Sequence, residues 1–192
     1  FVEPLFSMRF GREPLAEIVG LIQDSGQTVE LHLHTEWVDE AVVALFPDVS
    51  HKRQHIYMFS LNEQRRLLEK GIDLLEGAGA KSLNAYRAGS FGANDDTLIA
   101  LSGTRIGIDA SLNATTSHCR ITPPSILPHP TIMNDITEVP MTWFIDGRGR
   151  RRSTQICACS YAEMQSALDQ AYENRWQQFV ILTHSFEMLN KA

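Results

Sequence analysis

The sequence is poor in cysteine, has no long apolar run, carries no excess of positive charge and does not begin with methionine. Each lack excludes something. The three cysteines, Cys119, Cys157 and Cys159, are an odd number and offer no disulfide framework, which favours a reducing compartment. Cys157 and Cys159 alternate with alanine in a strand-like stretch and are expected as small buried residues on one face. No run of about 18 apolar residues occurs, so no membrane-spanning helix is expected. Phe1 to Met8 contain Glu3 and Pro4 and lack a basic flank and a small-residue cleavage site, so no signal peptide is read there and the cytoplasm is the expected location. Without an initial methionine, the chain is expected to be a processed product or part of something longer. Lysine and arginine number 17 against 23 acidic residues, a net charge of -6, which argues against a nucleic-acid partner. One basic run, Arg148-Gly149-Arg150-Arg151-Arg152, reads first as a solvated turn after Asp146-Gly147, and second as a contact for an anionic substrate or lipid phosphate.

What is present is enough for one domain with a hydrophobic core, since 192 residues with 43% apolar content lie in the globular range. Helix and strand signals alternate. Pro14 opens a helix whose face is Leu15, Ile18, Val19 and Ile22, ending at Gly26, and Thr28 to His34 follows as a strand. Ser60-Leu61-Asn62-Glu63 is a capping box ahead of Leu68, Ile72 and Leu75. Leu83 to Arg87 is a strand, Asn94 caps a helix that begins Asp95-Asp96, and Ile106 to Ala110 is another strand. Ser160-Tyr161-Ala162-Glu163 is a second capping box, with Tyr161, Met164, Leu168 and Tyr172 along one face. Gln178 to Thr183 closes the pattern as a buried strand. Four helix-to-strand units predict an α/β fold with a largely parallel sheet, either a barrel or open. Ala41 to Tyr57 and the five-proline stretch Ser117 to Pro140 are expected as long loops, and the latter as a border of the substrate cleft.

Parallel sheets place their chemistry at the C-terminal strand ends. Those ends hold His32 and His34, then Arg87, Gly89 and Ser90, then Asp109 and Ser111, then Thr183, His184 and Ser185. His32 and His34 lie two apart and share a face of their strand, which suits two imidazoles on one metal ion. Two histidines, a carboxylate and a water form a common catalytic zinc set; Glu36 is either that carboxylate or a surface residue. Trp37 either walls a pocket or packs. His184, after an apolar run, suits general acid or base work, or caps a strand through the backbone. A buried Arg87 needs a carboxylate or phosphate partner, and Gly89 lets backbone N–H groups approach a ligand. His51, His55, His118 and His129 are expected in exposed loops. Asn113-Ala114-Thr115 matches a glycosylation triplet that nothing else supports.

The ordered set His32-Leu33-His34-Thr35-Glu36-Trp37, Tyr86-Arg87-Ala88-Gly89-Ser90-Phe91-Gly92, Gly107-Ile108-Asp109-Ala110-Ser111 and Leu182-Thr183-His184-Ser185 resembles the polysaccharide deacetylase (NodB-homology) family. It is most similar to a surface-polysaccharide branch with an HLHPEW-like stretch, and the resemblance covers nearly the whole chain. It implies a distorted, incomplete (β/α) barrel over residues 1–192 and metal-dependent hydrolysis of N-acetyl groups on amino sugars. It further implies His32 and His34 as metal ligands, His184 as general acid, Arg87 orienting a catalytic base and Ser90 helping to hold the oxyanion. Trp37 and Trp143 are candidate sugar-stacking residues. The metal is expected to be zinc, with nickel or cobalt acceptable to the same ligands. The sequence departs from the family's usual motifs in three places. Val38 stands where the second histidine of H-x-x-x-H falls. Arg87-Ala88-Gly89-Ser90 stands for R-x-P-Y. The paired aspartates that supply the base and the third ligand would precede Phe1, so the chain is expected to be an incomplete catalytic unit.

Two other classes compete. Amidohydrolase barrels also begin with His-x-His, but the chain is short for eight units. A non-catalytic glycan-binding module of the same fold would use Trp37 and Trp143 as platforms.

Overall fold

The computed structural model describes residues 1–47, 52–123 and 129–188. A short helix α1 (Ser7–Phe10) leads into α2 (Glu13–Asp24), which has Pro14 in its first turn and buries Leu15 and Val19. The longest helix, α3 (Leu61–Gly77), starts at a complete capping box. Ser60 Oγ accepts the Glu63 N–H, and Glu63 accepts the Ser60 N–H at 2.9 Å. Helix α4 (Asp95–Ser102) starts at Asn94, which exchanges the same reciprocal bonds with Thr97. Each box satisfies backbone donors that a helix start otherwise leaves open.

These helices pack on a five-stranded sheet in the order β1-β2-β3-β5-β4: β1 (Leu31–Leu33), β2 (Ala85–Ala88), β3 (Ile108–Asp109), β5 (Ile136–Glu138) and β4 (Thr131–Met133). The first four are mutually parallel and β4 is antiparallel. Val2 bridges in parallel to Leu31 on the outer edge of β1. A separate hairpin, β6 (Trp143–Ile145) with β7 (Arg151–Ser153), precedes α5 (Tyr161–Glu173), whose Ser160–Glu163 capping box is also complete. The fold is therefore α/β with a mainly parallel sheet, and among the described residues the strands form an open sheet with a separate hairpin rather than a closed barrel.

Register determines which side chains share a face. Leu31, Tyr86, Asp109 and Glu138 are successive partners across the four parallel strands, so they line one face in a row. That face lies toward α3, where a Cβ on Gly71 would come within 3 Å of the Leu31 and Leu33 methyls. The opposite face carries the partners His32 and Arg87. The main hydrophobic core runs from Val2 to Ile136.

Several expectations are corrected. The Ser117 to Pro140 stretch contains the β4–β5 hairpin: its prolines flank the strands, and Asn134 and Asp135 supply two consecutive positive φ angles at the turn. Residues 178–183 do not form a continuous strand; only Leu182 bridges, to Gln155. On α5, Tyr161 and Tyr172 are 85% and 87% exposed while Ala167 and Ala171 are buried, so the small residues face inward. Cys157 is exposed and Cys159 half-buried, because the chain around Ile156–Ala158 is a 3-10 turn. His55 is buried and His129 half-buried, while His118 is exposed; His51 lies outside the described residues. Asn113 is buried, and its Oδ1 accepts both the N–H and the hydroxyl of Thr115, a turn role that leaves no surface amide. Of the basic run, Arg148 to Arg150 turn between β6 and β7, held by Asp146, whose Oδ1 accepts from the Arg148 and Arg150 N–H groups, while Arg151 and Arg152 begin β7 and Arg152 pairs with Glu163.

Candidate active site

The two strand-end histidines are held through the same ring nitrogen. His32 Nδ1 donates to the Arg87 carbonyl at 2.6 Å, across the β1–β2 pairing. His34, which ends β1 and starts a 3-10 turn over Thr35–Glu40, donates from Nδ1 to Glu36 Oε1 at 3.0 Å. Both rings then direct Nε2 as a lone-pair donor, the orientation that a backbone carbonyl or carboxylate imposes on metal-binding imidazoles. Their centroids are 4.8 Å apart and the rings are nearly perpendicular. Burial, reinforced by the Arg87 charge, pushes the His32 pKa down to about 3, so the ring is neutral at ordinary pH. His34 is raised, chiefly by its bond to Glu36. Burial alone would raise Glu36, but the bond from His34 overrides it and leaves the carboxyl lowered. Glu36 thus stands behind His34.

Gly89 has a packing reason. A Cβ there would lie 2.7 Å from the Leu33 carbonyl oxygen and 3.0 Å from His34 Nδ1, so any side chain would drive β2 away from the end of β1. Ser90 and Phe91 then take left-handed φ angles of 51° and 58°. Non-glycine residues in that region each cost about 1–3 kcal/mol and concentrate at functional turns.

His184 arrives from the C-terminal side. Thr154 holds the 180–182 segment: the Leu182 N–H donates to the Thr154 carbonyl, and the Thr154 hydroxyl donates to Val180 O at 2.5 Å. His184 Nδ1 bonds Glu187 Oε1 at 2.9 Å, and Glu187 also accepts from Gln155 Nε2 at 2.7 Å. Glu187 and Gln155 escaped the sequence reading. The histidine–glutamate spacing of three, on one turn, was the available signal for Glu187.

A cavity of about 180 Å³ is lined by His32, His34, Arg87, Ser90, Gln155 and His184, among others. A larger groove of about 520 Å³ shares both strand-end histidines, Arg87 and His184, and continues along Phe1, Glu3 and Ile22. Glu3 accepts the Leu5 and Phe6 N–H groups, and its burial pushes its pKa up to about 7. Five candidate residues thus meet at one cavity. Trp37 does not line it; its ring packs edge-on against Phe10, at 5.7 Å. Trp143 lines a different cavity of about 250 Å³ with Met141 and Ile121, its ring under the Arg151 guanidinium at 4.8 Å. Asp109 and Ser111 are buried on the helix-facing side and do not reach the cleft.

The donor set fits a metal in part. His32 and His34 offer two imidazole Nε2 positions, and among the described residues no group of three or more histidine, cysteine, aspartate or glutamate side chains converges. Comparison with family models and with curated proteins finds no match for the chain.

Proposed function

We propose that the chain is a metal-dependent carbohydrate N-deacetylase of the polysaccharide deacetylase type with its incomplete (β/α) barrel. It would remove N-acetyl groups from amino sugars of a surface polysaccharide or its precursor. The observation that supports this reading is the meeting of His32, His34, Arg87, Ser90 and His184, drawn from three separate stretches of chain, at one cavity. A divalent cation, zinc first among the candidates, would be held by Nε2 of His32 and His34 and would supply Lewis-acid polarisation of the amide carbonyl. The Nδ1 bonds to Arg87 O and Glu36 fix both rings for that role. Glu187 accepts from His184 Nδ1 and orients the ring, and His184 would give a proton to the departing amine. The left-handed turn at Ser90 brings backbone to the cavity wall, where it can donate to the carbonyl oxygen. The products are acetate and the free amino sugar.

The test is metal content and acetate release. Wild type is expected to retain about one zinc per chain through gel filtration and to release acetate from N-acetylglucosamine oligomers. The double variant His32→Ala, His34→Ala should lose the metal. His184→Ala should keep it and lose turnover. A double variant with full metal content refutes the ligand assignment. A second reading has its own support: with only two converging ligands among the described residues, a glycan-binding module built on this fold would retain oligomers without releasing acetate or holding zinc.

A further inference from the structure

We propose that the cavity beside Trp143 is a second binding site, separate from the cleft, and that it takes a small aromatic carboxylate.

The cavity, of about 250 Å³, shares no lining residue with the histidine cavity. It nevertheless lies at the same edge of the sheet. Leu112 and Asn113 follow the C-terminal end of β3, and Pro140 and Met141 follow that of β5. That is the edge at which parallel sheets carry their ligands. The Met141 N–H donates to the Leu112 carbonyl and ties the two stretches together. The walls are mainly apolar: Leu112, Ile121, Met141 and Trp143, with Pro123 and Pro140. An apolar lining with a few polar groups at fixed positions suits a small ring-shaped ligand.

The polar groups decide the chemistry of that ligand, and they are donors. Asn113 is 4% exposed. Its Oδ1 accepts from the Thr115 N–H and hydroxyl, which fixes the amide and leaves its NH2 group with no acceptor among the described residues. A donor at a buried position calls for an acceptor. Arg151 is the second donor. It shares a face of the hairpin with Trp143, because Trp143 pairs with Ser153 and Ile145 with Arg151. Its guanidinium carbon stands 4.8 Å from the indole centroid, which holds the charge at the cavity wall. Arg150 pairs with Asp146 and Arg152 with Glu163, but Arg151 between them has no ion pair among the described residues.

Acceptors are scarce in the same place. No aspartate or glutamate lines the cavity. Thr116 Oγ1 accepts the His118 N–H, and the Leu112 and Pro140 carbonyls accept from Met141 N–H and Gln178 Nε2. The hydroxyls of a sugar would therefore lack partners. An aromatic ring instead fills the apolar walls, and a carboxylate on it meets the donors.

Phenylacetate is the probe, with phenylacetamide as its uncharged counterpart and N-acetylglucosamine as the sugar control. In isothermal titration calorimetry on the full chain, phenylacetate should bind at least about tenfold more tightly than either, as a charge-assisted contact gives. In an NMR titration the Trp143 indole N–H and the Asn113 side-chain NH2 signals should move. Arg151→Gln should lower the affinity for phenylacetate to that for phenylacetamide. Arg151 is exposed, so this variant should melt like wild type, which separates lost binding from lost folding. His184→Ala, in the other cavity, should bind phenylacetate as wild type does. No binding of phenylacetate by wild type, or equal affinity of wild type and Arg151→Gln, overturns the inference. Lost affinity in His184→Ala would put the anion in the cleft and overturn it too, as would tighter binding of N-acetylglucosamine that moves the Trp143 signal. Acetate release by the same protein bears on the deacetylase reading alone.

Discussion

Replacing Glu138 by glutamine should flatten the pH dependence of stability. Asp109 and Glu138 are register partners on β3 and β5, both fully buried. Asp109 Oδ1 accepts from the Ser111 hydroxyl at 2.6 Å, and Glu138 Oε1 accepts the Leu112 N–H at 3.0 Å. Their remaining oxygens, Oδ2 and Oε2, meet no donor among the described residues, and each carboxyl is close enough to act on the other's ionisation. Two carboxylates cannot both ionise at such a site, so they share one proton. Burial first, then the Asp109 charge, raises the Glu138 pKa far above neutrality.

The sign follows from linkage. A carboxyl with a raised folded pKa binds a proton in the native state that the unfolded chain has released. Its contribution is therefore full below the ordinary carboxylate pKa and is lost progressively as pH rises. Between pH 7.5 and 9.5 one such proton removes about 2.7 kcal/mol, at about 1.36 kcal/mol per unit. For a chain of this size that is a fall in Tm of about 5–11 °C. Glutamine keeps the acceptor for Leu112, donates an N–H to Asp109 Oδ2 and has no proton to lose, so its Tm should stay nearly level across the window. Thermal melts of both proteins at half-unit steps measure the difference in slope, in which the titrations common to both cancel. Parallel slopes would refute a shared proton.

Two further substitutions test the frame around the cleft. Gly89→Ala puts a methyl against the Leu33 carbonyl and the His34 ring, the first of them backbone of the paired strand; an overpacking cost of about 1–3 kcal/mol is expected, with loss of His34-dependent metal binding, read by urea denaturation and zinc titration. Ser60→Ala removes the α3 cap and should cost about 1 kcal/mol while leaving metal and ligand binding unchanged.

Local chemistry was legible in the sequence and long-range coverage was not. Ser60 and Ser160 cap helices where their spacing to Glu63 and Glu163 placed them, and Asn94 caps the helix that opens on Asp95 and Asp96, because a cap is decided within four residues. The His32–His34 alternation was likewise a local fact of the strand. The face of α5 was misread because period alone does not say which side is covered: Tyr161, Leu168 and Tyr172 repeat correctly, but the neighbouring chain packs on Ala167 and Ala171. The Asn134–Asp135 turn was a readable hairpin signal, obscured by the prolines on either side. His55 gave no sign of burial; its ring fills the space opposite Gly92, a contact between residues 37 apart that no motif encodes.

The two faces of one sheet hold opposite charge problems. On the helix-facing side, Asp109 and Glu138 are sealed from water, and nothing can arrive to balance them; a proton is retained and the charge reduced within the protein. On the other face, one residue along β2 from Tyr86, Arg87 cannot neutralise itself, since a guanidinium holds its proton at any physiological pH. Its charge is instead left facing open cavities. His32, its register partner, responds by staying neutral. A neutral imidazole and a guanidinium with no ion pair among the described residues stand side by side on paired strands, one with a lone pair to offer and the other with a fork of donors.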